Sequence, residues 1–265
     1  MSRLAFSGTL VLLLCAVAAL ATLWTPHPVD TVAIGARFQA PSPAHPLGTD
    51  HLGRDLVSML MAGAANSLGV AAAAIGLGAA LGTAVGLLMC ATGGALHVAL
   101  LRASDLLFAF PALIVAAILA TAFGPGAGVA VVAIGVFNVP VFARLAAATG
   151  AGLMATHFAD AARLSGKGEF RTAVEHALPN MLPVIATQAA TQFAIAILAE
   201  AGLSYVGLGV QPPDVSWGRM LAEAQTLVFM APGLALWPGL AIALSVCVVT
   251  AFGERLRVQF DPRRP

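Results

Sequence analysis

Long apolar stretches separated by short polar segments dominate the hydrophobic pattern of this chain. A helix needs about 20 apolar residues to cross the hydrocarbon core of a bilayer. Stretches near that length recur along the chain when Gly, Thr and Pro are tolerated within them. The pattern predicts an all-α membrane protein with six transmembrane helices, at Leu4 to Trp24, Asn66 to Cys90, Ala103 to Ala122, Gly126 to Leu145, Met181 to Ala201 and Pro232 to Gly253.

The first stretch also has features of a cleaved signal peptide, because Arg3 precedes it and small residues occupy Ala19 to Ala21. A usual signal core has about 7 to 15 apolar residues, and this stretch is longer. A retained anchor is therefore favoured, with a signal peptide as the alternative.

The connections between the predicted spans suggest how the chain is organised. Gly and Pro are dense in residues 202–231, which predicts turns and no further span. We divide the chain into an anchor with its outer loop, 1–65, and a core membrane domain, 66–265, that includes a polar segment, 146–180. An amphipathic helix on the outer surface is predicted before the second span, from the helical spacing of Leu56, Met59, Leu60 and Gly63.

The distribution of basic residues predicts the orientation. With the N-terminus inside, three of the thirteen Lys and Arg residues face outward, namely Arg37, Arg54 and Arg219. The positive-inside rule therefore places both termini in the cytoplasm of a bacterial inner-membrane protein. The ten residues on the inner face are Arg3, Arg102, Arg144, Arg163, Lys167, Arg171, Arg255, Arg257, Arg263 and Arg264.

Composition agrees with a membrane location and narrows the function. Hydrophobic residues make up 59% of the chain and charged residues 9%, with a mean hydropathy of +0.91. A soluble domain carries about 25% charged residues. The net charge of +1 and the scattered basic residues exclude a nucleic-acid-binding protein. Three cysteines within apolar runs indicate neither a disulfide framework nor a metal site.

The segment "DAARLSGKGEFRTAVEHALPN", from Asp160 to Asn180, is the main polar interruption. Gly166 and Gly168 predict a sharp change of direction between two short helices, and Pro179 predicts the end of the second. The first helix would present a face of small and apolar residues, and the second helix would supply a second face. Those faces are Phe158, Ala161, Ala162 and Leu164 or Ser165, and then Phe170, Val174 and Ala177.

Asp160-Ala161-Ala162, three residues, Gly166, nine residues and His176-Ala177-Leu178-Pro179 resemble the EAA loop of ABC importer permeases. Further blocks resemble one branch of that family, the second permease subunit of dipeptide, oligopeptide and nickel importers. They occur in the family's order between His45 and Pro262. The blocks are "LGTDHLGRD" at Leu47, "HALPN" at His176, "ILAEAGLSYVGLGVQPPDVSWGRML" at Ile197 and "GERLRVQFDP" at Gly253.

The resemblance implies the type I ABC importer fold, also called MetI-like, with a cytoplasmic coupling helix. It implies as partners a homologous permease, two ABC ATPase subunits and an extracytoplasmic substrate-binding protein. The chain itself would bind no cofactor, since ATP and Mg belong to the ATPases. The residues expected to couple to an ATPase are Asp160, Ala161, Ala162, Arg163, Leu164, Gly166, Leu178 and Pro179.

Two departures from the family's usual residues leave this assignment intact. Asp160 stands where the family has Glu, which shortens the reach of the carboxylate by one methylene. Glu254 and Val258 stand where relatives usually have Asp. "SGKGEF" at Ser165 is not a phosphate-binding loop, because Ala161 and Gly168 occupy the places of the first Gly and the Ser or Thr. The chain is therefore predicted to be a non-catalytic subunit.

Polar residues inside the spans have two interpretations. Gln188, Thr191, Gln192 and, further out, Glu200 either line a water-filled translocation path or pair with other helices. Small residues at Gly78, Gly82 and Gly86 predict a close helix contact. Arg102 and Asp105, spaced i, i+3, are predicted to pair with each other. His27, His45 and His51 share the first outer loop, but their spacing does not require a metal site.

Import of di- and oligopeptides is the function that this resemblance favours. Nickel, a metal chelate or heme are the alternative cargoes, because cargo choice depends largely on the binding protein. A self-sufficient secondary transporter is disfavoured, since the sequence shows neither clear internal symmetry nor ionisable groups deep in its spans.

Overall fold

The computed structural model describes residues 3–260, with side chains from residue 5 onward, and its regular elements are helical. Arg263, Arg264 and the last two residues of the closing block, Asp261 and Pro262, lie outside this range. The helices are α1 (Arg3–Ala21), α2 (Leu56–Ala91), α3 (Gly94–Ala109), α4 (Ala112–Phe123), α5 (Ala127–Met154), α6 (His157–Leu164), α7 (Glu169–Thr172), α8 (Leu178–Tyr205), α9 (Trp217–Ala224) and α10 (Gly233–Gln259). A 3₁₀ turn at Ile34–Ala36 and a π-helical turn at Ala173–Ala177 complete them.

Four helices within residues 3–260 are long and apolar enough to cross a membrane. They are α2, α5, the continuous helix Glu169–Tyr205 and α10. The pair α3 and α4 adds a fifth candidate if the two are taken as one broken span. The apolar part of α1, Ala5–Ala21, is shorter. The all-helical membrane class is therefore confirmed with four to five candidate spans, and a sixth stays a prediction.

The predicted third span is not one straight helix. α3 and α4 meet at an angle of 83° across Phe110 and Pro111. Phe110 has an extended backbone, with φ −94° and ψ 117°. Proline disfavours the helical conformation of the residue before it and has no N–H to continue the helix, so the chain bends at this dipeptide.

Two predictions for the segments before the second span and after the fifth span also change. The predicted amphipathic helix is the first part of α2, which runs for 36 residues without a break and passes through position 65. Residues 202–231 do contain turns, but they also hold the short helix α9. Asp55 and Ser216 begin α2 and α9 as N-caps, because each side chain accepts a backbone N–H from the first turn.

The contact between α2 and α5 is the most extensive helix packing in the described chain. A methyl group added at Gly78 would lie 2.6 Å from Asn138 Cβ, and one at Gly86 would lie 2.5 Å from Ala146 Cβ. At Gly82 the added methyl would overlap the carbonyl oxygen of Val139. The close contact predicted from the glycine stripe is confirmed, and its partner lies within this chain.

Gly82→Ala is expected to lower the stability of the protein, because its methyl group would force α2 and α5 apart at a backbone contact. Gly76→Ala is the matched control on the same helix, since within residues 3–260 no atom beyond its own helix turn lies within 4 Å of a Cβ there. Thermal unfolding in detergent measures both. Equal unfolding temperatures for the two variants would contradict the packing role of the stripe.

Candidate functional site

Helix α6 has a buried face of small residues and a solvent-exposed face that carries both polar and apolar side chains. Ala159 and Ala162 are buried, whereas Leu164 is 90% exposed and the side chain of Asp160 is 60% exposed. The predicted common face of α6 is therefore wrong in part, because Ala161 and Leu164 point to solvent while Ala162 points inward. The inward residues are the small ones, which allows α6 to lie close against its neighbours α5 and α7.

Gly166 ends α6 in a defined turn. Its φ of +85° lies in the left-handed region, where a residue with a Cβ is strained. The Gly166 N–H donates to the Arg163 carbonyl at 2.9 Å, and the Lys167 N–H donates to the Ala162 carbonyl at 3.1 Å. These two bonds form a Schellman motif, which fixes the direction in which the chain leaves α6. The predicted change of direction is confirmed.

Ion pairs connect α6 to the helix that follows it. Arg163 donates to Asp160 at 2.8 Å and, through two nitrogens, to Glu169 at 2.8 Å and 3.0 Å. Lys167 donates to Glu175 at 2.6 Å. Exposed ion pairs add little to stability, so the main effect of this network is to orient α6.

Pro179 does not end the second helix, contrary to the sequence prediction. The helix runs through it, from Glu169 to Tyr205. A π-helical turn precedes the proline, and the Leu178 N–H reaches back to the Ala173 carbonyl, five residues away. The extra residue in this turn shifts the carbonyl with which the proline ring would clash, and so the helix continues. Leu178 is half-buried and Pro179 is exposed.

The predicted path residues on α8 fall on two sides of that helix. Thr191 is exposed, and Gln188 and Gln192 are partly exposed near it. Glu200 is fully buried and accepts a hydrogen bond of 2.6 Å from Ser204 Oγ. The structure thus brings the first three together and separates Glu200 from them.

A polar cluster joins the residues just before α2 to α9, and the sequence did not predict it. Arg54 donates to Asp50 and to Glu223, each at 2.7 Å, and Arg219 donates to Glu223 at 3.0 Å. The spacing i, i+4 within the pairs Asp50–Arg54 and Arg219–Glu223 was a local signal in the sequence. Nothing in the sequence linked Arg54 to Glu223. The Trp217 indole N–H also donates to the Leu60 carbonyl, at 3.0 Å. These contacts hold α9 against the start of α2.

Comparison with known protein families identifies the class of membrane protein to which this chain belongs. Residues 76–264 match the model of the binding-protein-dependent transport system inner membrane component. The chain belongs to this permease family. It is therefore a non-catalytic, multi-pass inner-membrane component of an ABC importer, which works with ATPase and binding-protein partners.

Curated relatives of this permease cover nearly its whole length. A putative peptide transport system permease protein of Brucella suis is 37% identical over 97% of this chain and 86% of its own length. The glutathione transport system permease protein GsiD of Pectobacterium atrosepticum is 34% identical over 97% and 86%. The nickel transport system permease protein NikC of Escherichia coli K12 is 32% identical over 96% and 91%.

A solved structure agrees on the fold. The permease resembles a chain of the methionine ABC transporter MetNI in an inward-facing conformation, with a TM-score of 0.64 and 18% identity. The match covers 77% of this chain and 97% of that one. The predicted MetI-like importer fold is supported by this likeness.

Gly166→Ala is expected to loosen α6, because a left-handed residue with a Cβ costs about 1–2 kcal/mol. Gly168→Ala is the matched control, since its φ is −71° and a Cβ would meet nothing within 4 Å at either position. Hydrogen–deuterium exchange of residues 157–172 measures the effect. Faster exchange in Gly166→Ala alone is the expected result, and equal exchange in both variants would contradict the role of this turn.

Proposed function

We propose that this permease is the second membrane subunit of an ATP-driven importer of di- and oligopeptides. The peptide assignment is supported by the names of the relatives in Brucella suis and by a dipeptide transport system permease protein DppC, 36% identical over 86% of this chain. The relatives for glutathione and nickel leave those cargoes, a metal chelate and heme as alternatives.

The proposed assembly contains a homologous permease, two ATPase subunits and an extracytoplasmic binding protein. Both termini of this chain face the cytoplasm, which follows from its basic residues. α6 then lies on the cytoplasmic side, where an ATPase can reach it. ATP and Mg bind to the ATPases, and this chain holds no cofactor.

The single observation that carries the coupling role is the exposure of Leu164 at the end of a helix fixed on its other side. An apolar side chain that is 90% exposed suits a groove on a partner, and Asp160 and Arg163 supply charge beside it. Ala161 and Gly166, which are exposed, allow the close approach of the ATPase, and the buried Ala162 allows α6 to lie close to its own neighbours. The set Asp160 to Gly166 therefore receives the movement of the ATPase.

Movement of α6 would reach the membrane through the helices on either side of it. α6 follows α5 after a two-residue gap and leads through α7 and the π turn into α8, which begins with Leu178 and Pro179. Closure of the ATPases stabilises one arrangement of these helices, and the permease changes from inward-open to outward-open. Thr191, with Gln188 and Gln192, lines the path, and Glu200 fixes the packing of α8 in the conformation described here.

The combined change Asp160→Lys and Gly166→Pro is expected to leave the permease inserted and to uncouple uptake from ATP hydrolysis. It reverses the leading charge of α6 and removes the left-handed turn. Asp160→Glu is the control and keeps coupling, because it preserves the charge. ATP-dependent uptake and ATPase rate are measured together in proteoliposomes that contain the whole importer with its binding protein. Unchanged uptake in the double variant would remove the coupling role.

The same proteoliposomes test the cargo. Uptake of a labelled dipeptide is expected in preference to glutathione, Ni²⁺ or heme. Preferential uptake of any of these would reject peptide as the cargo and leave the coupling role in place.

A further inference from the structure

Three side chains that are far apart in the first outer loop meet at the start of α2. His45 Nδ1 lies 3.0 Å from Asp55 Oδ1, and His27 Nδ1 lies 3.7 Å from Asp55 Oδ2. The centroids of the two imidazole rings lie 4.6 Å apart, and the ring planes are tilted by 38°. One ligand atom from each residue lies within 4.8 Å of the other two. From this geometry we infer that His27, His45 and Asp55 form a binding site for a divalent transition-metal ion on the outer face.

The distances suit such an ion. Two ligands at about 2.1 Å from a tetrahedral zinc ion are about 3.4 Å apart. The observed separations, 3.0 Å from His45 Nδ1 to Asp55 Oδ1 and 3.7 Å from His27 Nδ1 to Asp55 Oδ2, lie on either side of that value, and the carboxylate can present either oxygen to an ion. Two imidazoles and one carboxylate favour Zn²⁺, Ni²⁺, Co²⁺ or Cu²⁺ over Mg²⁺ and Ca²⁺, which prefer oxygen ligands alone.

The three residues are held in place by contacts that do not depend on an ion. The backbone N–H of His27 donates to Ser58 Oγ at 2.9 Å, and the backbone N–H of His45 donates to Ser42 Oγ at 3.1 Å. The Ser58 N–H and Ser58 hydroxyl both donate to Asp55 Oδ2 at 2.8 Å. Such outer contacts orient the ligands of metal sites.

The burial of the three side chains leaves a route for an ion. The side chain of Asp55 is fully buried, whereas that of His27 is 41% exposed, so an ion can enter from the His27 side.

A hydrogen bond between His45 and Asp55 would account for the close approach of those two side chains. It does not satisfy the Nδ1 atom of His27. His27 Nδ1 is buried and has no hydrogen-bond partner within the described chain. Leaving a buried polar atom unpaired costs free energy. An ion shared by the three side chains would satisfy this nitrogen.

A second group of possible ligands nearby, Asp50, His51 and Glu223, differs in one respect. A guanidinium nitrogen of Arg54 lies 2.7 Å from Asp50 and 2.7 Å from Glu223, so a cation already occupies that site. A second cation would be repelled there. His51 therefore provides a matched control within the same loop.

The test uses the assembled importer, purified with a tag that contains no histidine and stripped of metal with a chelator. Zn²⁺ binding is measured by calorimetry, and Co²⁺ is followed by its visible absorption. His27→Gln is expected to weaken binding at this site by at least about tenfold, since even the loss of an outer contact costs that much. His51→Gln is expected to bind as the unchanged importer does.

His27→Gln is the decisive variant, because within the described chain His27 Nδ1 makes no hydrogen bond whose loss would disturb the fold. Unfolding temperatures measured with and without Zn²⁺ check this. The unchanged importer is expected to gain stability from Zn²⁺, and His27→Gln to lose that gain while unfolding at the same temperature without metal. Equal Zn²⁺ affinity in His27→Gln and the unchanged importer, or loss of binding in His51→Gln, would overturn the inference. Neither measurement depends on the cargo or on coupling.

Discussion

The close approach of α2 and α5 is the constraint on which the rest of the structure depends. Gly78, Gly82 and Gly86 place the backbone of one helix against the other, with no room for a side chain between them. In a membrane, where lipid is as apolar as leucine, such close packing replaces the hydrophobic drive that holds soluble helices together. The two helices carry different parts of the molecule, because α2 begins directly after the loop that contains Arg54 and α5 leads to α6.

One continuous helix connects the surroundings of α6 with those of α9. The helix Glu169–Tyr205 runs from the ion pairs beside α6, through the π turn, to the buried Glu200. At its C-terminal end the Gly207 N–H donates to the Ser204 carbonyl and the Leu208 N–H to the Leu203 carbonyl, which forms a second Schellman motif. Under the proposed coupling role, a displacement beside α6 would be carried to the region that Arg54, Glu223 and Trp217 hold against α2.

Local sequence signals predicted much of this architecture. The length of the apolar stretches predicted the membrane class. The spacing of the glycines predicted the close contact of α2 with another helix, and Gly166 predicted the turn after α6. Pro111 was a usable signal for the bend of the third span, but it lay inside an apolar stretch. The predicted end of the helix at Pro179 was wrong, because no sequence pattern reveals the π turn just before it.

Contacts between distant residues could not be predicted in the same way. Arg102 was expected to pair with Asp105 because of its spacing, but the structure pairs Asp105 with Arg144, whose guanidinium also lies 5.0 Å from the centre of the Phe108 ring. The link from Arg54 to Glu223 and the meeting of His27, His45 and Asp55 depend on how loops fold back over α2. Spacing along the chain contains no information about such meetings, so the outer clusters required the three-dimensional structure.

The most direct measurement of the central claim is to isolate the tagged chain from its native membrane in mild detergent and identify what accompanies it. The account predicts two ATPase subunits and a homologous permease in a fixed ratio, because the proposed function assigns α6 to one ATPase and pairs this permease with a second one. A chain that is recovered alone, and that moves solute into liposomes without ATP, would contradict the account.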